Sequence, residues 1–257
     1  MSEPLRLERN DEDRSAELVL AKPPLHILDL DLLERLEARL SELAADPKLQ
    51  VLVLRAEGGK AFCAGVAVQD HTADKVERTL GAFHGAIRAL RALDAFTLAV
   101  VDGACLGGGM ELAAACDYVI AGERAKFGQP EIQLGCFPPV AAALLPRRLG
   151  AGVALELILS GRTVGADEAL ALGLVHERVS SDSLPTRVRD LVGTVTTKSA
   201  VATRFAKRAV RAGEERGFEP ALAEAERLYL RELASSRDMT EGIEAFLEKR
   251  PAVWEHR

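Results

Sequence analysis

Residues 97–123 read TLAVVDGACLGGGMELAAACDYVIAGE, and their order decides the fold. An apolar run of strand length leads into three consecutive glycines. A stretch of helix formers follows, and then a second apolar run, YVIAGE. Outward from there the alternation continues. VLVLRAE (51–57) reads as a buried strand, GGKAFCAG (58–65) as a glycine-bounded loop, and DKVERTLGAFHGAIRALRAL (74–93) as an amphipathic helix. Upstream, LRLER and AELVLAK read as a hairpin. Asp29 or Asp31 can cap a helix whose Leu32, Leu33, Leu36, Leu40 and Leu43 recur at helical spacing and which Pro47 stops. Strand and helix alternate to about Val179, which predicts an α/β core with crossover helices. From Ser183 to Lys249 the pattern is helical only, broken at Gly213–Gly217 and Ser235–Ser236. The chain is expected to divide near Thr197, into a core (1–197) and a helical region (198–257) whose apolar stripes need a partner.

Of the 257 residues, 48% are hydrophobic and 28% charged, enough for a sizeable core. The net charge of -6 argues against a nucleic-acid binder. No run is apolar enough to cross a bilayer, and MSEPLRLERNDEDR lacks the apolar centre of a secretory signal. A cytoplasmic protein with no membrane partner is therefore expected. Cys63, Cys105, Cys116 and Cys136 stand apart without a CxxC pair and are expected to be buried thiols. The five histidines show no ligand spacing, so no metal is expected.

The glycine run fits neither a dinucleotide loop, since Leu112 stands where the third glycine belongs, nor a P-loop, which needs Gly-Lys-Ser/Thr. Two readings remain open: close packing, or an anion hole in which bare N–H groups at a helix start stabilise an oxygen gaining charge. Glu111 follows at once, framed by Met110, Leu112 and alanines. Desolvation there raises a carboxyl pKa toward the range useful for proton transfer. Glu131, next to Pro130 at the first turn of a short helix, is a second apolar-framed acid. Either glutamate taken alone also fits an ordinary first-turn acid. In GGKAFCAGVAVQD, Gly65 frees the backbone at Val66, a second source of N–H groups. His71 reads as a surface loop histidine starting a helix, with a place at the mouth of the site as the alternative. Arg204, Lys207, Arg208 and Arg211 read as a solvated basic stripe, with phosphate recognition or an anionic partner as the alternatives.

GKAFCAGVAV, VDGACLGGGMELAAACDYVIA and KFGQPEIQLG together resemble the enoyl-CoA hydratase/isomerase (crotonase) family. LSGRTVGADEALALGLVHERV and EGIEAFLEKRPAVW continue the likeness over nearly the whole chain. The resemblance implies a crotonase-like spiral of ββα units with a C-terminal helical trimerisation region, in a homotrimer or dimer of trimers. It implies an acyl-CoA thioester substrate, coenzyme A entering as part of it, and no prosthetic group. By the same resemblance, Val66 and Gly108 N–H groups form an oxyanion hole. Glu111 activates water, and Glu131 protonates the α-carbon. Substrate contacts fall to Lys22, Leu25, Ala64, Gly65, Ala67, Val68, Gly107, Phe137, Pro138 and Pro139, with Phe246 and Lys249 bordering a neighbour's site. Ala67 and Gln69 replace the usual Asp and Lys, and FPPVAAALLP replaces a glycine-rich stretch. That pattern, with AKPPLHILD and QDHTADKV, is similar to cyclohexa-1,5-diene-1-carbonyl-CoA hydratases.

Overall fold

The computed structural model of the chain describes residues 3–58 and 60–256; Gly59, part of the loop read at 58–65, lies outside them. Strands β1 (Leu5–Asn10) and β2 (Ser15–Leu20) pair antiparallel as the expected hairpin. Asp29 caps α1 (Leu30–Ala44) by accepting the Leu32 N–H.

Three turns of a ββα spiral follow. The first is β3 (Val51–Ala56), β4 (Ala61–Cys63) and α2 (Val76–Ala92). The second is β5 (Phe96–Val101), β6 (Ala104–Leu106) and α3 (Gly108–Ala115). The third is β7 (Tyr118–Gly122), β8 (Lys126–Gly128) and, after a 3-10 turn at Pro130–Leu134, α4 (Pro139–Leu149). Helices α5 (Ala151–Ser160) and α6 (Ala166–Leu172) come next with strands β9 (Thr163–Gly165) and β10 (Glu177–Val179). The first strand of each turn joins a six-stranded sheet, β1-β2-β3-β5-β7-β10; the second joins a four-stranded sheet, β4-β6-β8-β9. GGKAFCAG is therefore not only a loop: its centre is β4, parallel to β6 with Cys63 opposite Cys105.

Both faces of the large sheet are covered, which is why its strands read as unbroken apolar runs. Leu52 and Leu54 face the main core. Val51 and Val53, with Leu98 and Ile120, meet Leu184, Val188 and Val192 of α7 (Leu184–Thr196). Helices α8 (Ala200–Glu215), α9 (Phe218–Arg231) and α10 (Arg237–Glu248) complete the chain.

The basic stripe on α8 is neither a solvated face nor a free anion site. Lys207 and Arg211 both pair with Asp117, at 2.7 and 2.6 Å, Arg208 pairs with Asp94 at 2.6 Å, and Arg204 donates to the Pro47 carbonyl. Burial works to raise the Asp117 carboxyl, but the charges of Lys207 and Arg211 outweigh it and hold it low. The stripe fastens α8 to the core.

Candidate active site

The small sheet brings two distant loops together. Val66 forms an isolated parallel bridge with Leu28, using the Gly65 carbonyl and the Ala67 N–H. That pattern turns the Val66 N–H to the opposite side. Gly108 opens α3, so its N–H has no intrahelical partner. A Cβ built on Gly108 would lie 3.5 Å from the Val66 nitrogen, and one on Gly65 would lie 3.6 Å from the Gly108 nitrogen. The two amides are neighbours.

The consecutive glycines answer to different constraints. Gly107 sits at φ +52°, and a side chain there would meet Glu131 Oε1 at 2.6 Å. Gly109 packs α3 onto β4, where a Cβ would lie 2.2 Å from the Cys63 carbonyl oxygen. Both readings of the run, packing and bare amides, thus hold at adjacent positions. Gly109→Ala is expected to lower stability by about 3 kcal/mol or more, since a backbone carbonyl has nowhere to go. Gly213→Ala on α8, where a Cβ meets nothing within 4 Å, should be neutral or mildly stabilising. Urea unfolding of the two variants checks the contrast.

Glu111 is 3% exposed. Burial pushes its carboxyl up to about 7, opposed by the Ala141 N–H, which donates to Oε1 at 2.7 Å, and aided by the charge of Glu131. Ala141 lies in the first turn of α4, whose N-cap is Pro138 and has no side-chain acceptor. Glu111 therefore supplies that helix with its acceptor while remaining at the cavity wall. Glu131, half-buried, is also raised by burial, with its own backbone N–H and the His71 charge pulling the other way. The side-chain amide of Gln129, fully buried, lies 3.0 and 3.2 Å from the two Glu131 carboxylate oxygens, and its NH2 end is assigned to that side because only an N–H can satisfy them.

Glu111, Glu131, Val66 and Gly108 line one cavity of about 290 Å³. Ala64, Gly65, Val68, Gly107, Phe137, Pro138 and Pro139 line it as well. The remaining expected contacts are not brought to it. Lys22 is engaged by Asp29. The Leu25 carbonyl accepts the Ala64 N–H at 2.9 Å and so braces the loop from behind. Ala67 is buried. Phe246 is 82% exposed at the end of α10, and Lys249 follows it at the helix C-cap.

For His71 the alternative holds over the favoured reading: it ends the 3-10 turn at Val68–Asp70 and lines the cavity, with Nδ1 3.0 Å from the Ala67 carbonyl oxygen. Cys136 is a correction. Three cysteines are buried, but Cys136 is half-buried in the cavity wall. The sequence reading missed Gln129 and the whole contribution of α2, namely Val76, Thr79, Leu80 and Phe83. Their helical spacing was visible, but a core face and a cavity face share that pattern. Among the described residues, no set of three or more His, Cys, Asp or Glu is placed to hold a metal. No described helix is long and apolar enough to cross a membrane.

Residues 13–257 match the family model described as enoyl-CoA hydratase/isomerase. A cyclohexa-1,5-dienecarbonyl-CoA hydratase of Thauera aromatica is 37% identical over 256 residues, covering 100% of this chain and 98% of the relative. A crotonyl-CoA hydratase of Syntrophomonas wolfei is 34% identical over 247 residues, covering 94% of each chain. Among solved structures, an enoyl-CoA hydratase from Bacillus anthracis superposes with a TM-score of 0.93 at 28% identity, covering 99% of this chain and 100% of the other.

Proposed function

Because the chain belongs to the enoyl-CoA hydratase/isomerase family, we propose that it is an acyl-CoA hydratase, a lyase that adds water to an α,β-unsaturated CoA thioester. The observation that carries this is the shared cavity: two glutamates and two unengaged amides around one space. The thioester oxygen accepts from the Val66 and Gly108 N–H groups. Water between the acids gives a proton to Glu111 and attacks the β-carbon. Electrons move onto the thioester oxygen as an enolate, whose charge the two amides hold. Glu131 then delivers a proton to the α-carbon. Burial places the Glu111 carboxyl near 7, so it takes and returns a proton close to neutrality. The residues supply acid, base and oxyanion donors without a prosthetic group, coenzyme A being part of the substrate.

The substrate class is narrowed to a cyclic dienoyl ester, supported by the Thauera aromatica relative and by the wall at Phe137, Pro138 and Pro139. Prolines fix φ and stiffen that wall. A panel of crotonyl-CoA, cyclohexa-1,5-diene-1-carbonyl-CoA and a 3-enoyl ester tests this by loss of conjugated absorbance for the first two and its gain for the third. The cyclic diene is expected to give the highest kcat/KM. Turnover of the 3-enoyl ester alone would instead make it an isomerase, and turnover of none a ring-opening hydrolase of the same fold or a silent CoA-binding subunit.

The setting belongs to the same reading: a cytoplasmic homotrimer or dimer of trimers. Val210, Phe218, Leu230, Phe246 and Leu247 are exposed apolar side chains on the C-terminal helices, and contact between subunits would cover such side chains. The division at Thr197 is part of it, with 198–257 as the assembling region.

A further inference from the structure

Consecutive N–H groups follow β4 at Ala64, Gly65, Val66 and Ala67, and their partners differ. The Ala64 N–H donates to the Leu25 carbonyl and the Ala67 N–H to the Leu28 carbonyl, each at 2.9 Å. The Gly65 N–H donates to a side chain instead, the Cys63 Sγ, at 3.3 Å. The Val66 N–H, the donor assigned to the thioester oxygen, has no acceptor among the described residues.

Cys63 is fully buried where the two loops of the site meet. Its strand partner is Cys105, and its Cβ would stand 2.7 Å from a Cβ on Gly109. Burial pushes the thiol up to about 12, so the sulfur stays a neutral S–H and is no nucleophile. Its polar contacts are both with Gly65: Sγ accepts the Gly65 N–H and lies 3.9 Å from the Gly65 carbonyl oxygen. That carbonyl also accepts the Leu28 N–H at 3.0 Å. The peptide before Gly65 is thus held by the thiol, and the peptide after it, which carries the Val66 N–H, by the bridge to Leu28. Gly65 sits between them at φ +106°, a joint with no Cβ to stiffen it. It also lines the cavity, so an N–H released from sulfur can turn there to find water. One anchor leaves the joint free to turn; two fix the direction of the next amide.

We propose that Cys63 is a positioning residue for hydration, whose thiol accepts the Gly65 N–H and so keeps the Val66 amide aimed at the thioester oxygen. This rests on the reading of Val66 and Gly108 as the oxyanion donors. The oxygen gains charge only as the enolate forms, so a misaimed donor slows the reaction more than it weakens binding.

Butanoyl-CoA, isotope-labelled at the thioester carbonyl carbon, tests this on the wild type, Cys63→Ala and Cys63→Ser. Both substitutions shrink the side chain, but serine keeps an acceptor for the Gly65 N–H. Equilibrium dialysis gives the affinity, and exchange of the α-protons in D2O at saturating ester gives the rate of enolate formation. Isotope-edited infrared difference spectra give the downward shift of the C=O stretch that the donors impose. Alanine should bind within about twofold of the wild type and exchange about tenfold slower, less than the loss of a whole donor would cost. Its C=O shift should shrink. Serine should recover both rate and shift, whereas lost packing alone would treat alanine and serine alike. If alanine keeps the wild-type rate and shift, or serine loses them as alanine does, the role of Cys63 falls and the oxyanion reading stands. If the wild type fails to bind the ester, to exchange its protons or to shift its C=O stretch, the oxyanion reading falls and the role of Cys63 with it. Should alanine not fold, serine decides: a wild-type shift upholds the role, and a reduced shift in the folded variant overturns it.

Discussion

Glu111→Gln is expected to lower kcat by about 10³-fold or more while making the protein harder to unfold above pH 7. The loss follows from removing the base that takes the water proton. The gain follows from linkage. Burial raises the folded-state carboxyl from 4.5 to about 7, so between those values the folded protein holds a proton that the unfolded chain has released. The sign is that of an acid disfavoured in its charged form. Stability is fullest below pH 4.5 and declines as pH rises to about 7. The full decline is about 3 kcal/mol. Glutamine carries no charge to desolvate, and its Oε1 can still accept the Ala141 N–H that Glu111 accepts at 2.7 Å. At pH 8 the variant should therefore melt several degrees higher, and at pH 4.5 no higher. Thermal unfolding at both values checks it. A gain of equal size at the two pH values would mean that the glutamate is not strained by its site.

The raised carboxyl was foreseeable because its cause is local: Met110, Leu112 and the alanines surround Glu111 in the sequence itself. The large sheet was legible for a similar reason, since strands buried on both faces leave unbroken apolar runs such as VLVL and TLAVV. The small sheet was not. Its strands β4, β6, β8 and β9 are three residues each, too short to express a period and interrupted by glycines. That omission explains what else stayed hidden. Val66 meets Gly108 because β4 and β6 are adjacent, so a reading without the small sheet had only family resemblance to join the two loops. The stripe on α8 was misjudged because its partners, Asp94 and Asp117, are far away in sequence and carry no local mark. Gln129 lay in plain view beside Pro130 and Glu131, but a glutamine before a proline signals nothing until its amide is seen to face the carboxylate.

A second substitution separates the two acids by the step each performs. Glu131→Gln should also cost about 10²- to 10⁴-fold in hydration, so hydration alone cannot say which acid serves which carbon. Exchange of the α-protons of butanoyl-CoA in D2O can. That reaction needs a base at the α-carbon and donors for the enolate oxygen, but no attacking water. With Glu131 as the α-carbon base and the Val66 and Gly108 amides as donors, Glu131→Gln should lose exchange about as severely as hydration. Glu111→Gln should retain exchange within about tenfold, because the amides and Glu131 are intact. The retained rate should be followed across pH and should rise with pH, because Glu131, whose carboxyl burial raises, acts as a base only once ionised. The opposite pattern, with exchange lost in Glu111→Gln and kept in Glu131→Gln, would exchange the roles of the two glutamates. Loss in both would mean that they act on the α-proton as one coupled pair, sharing a proton across the cavity that both line.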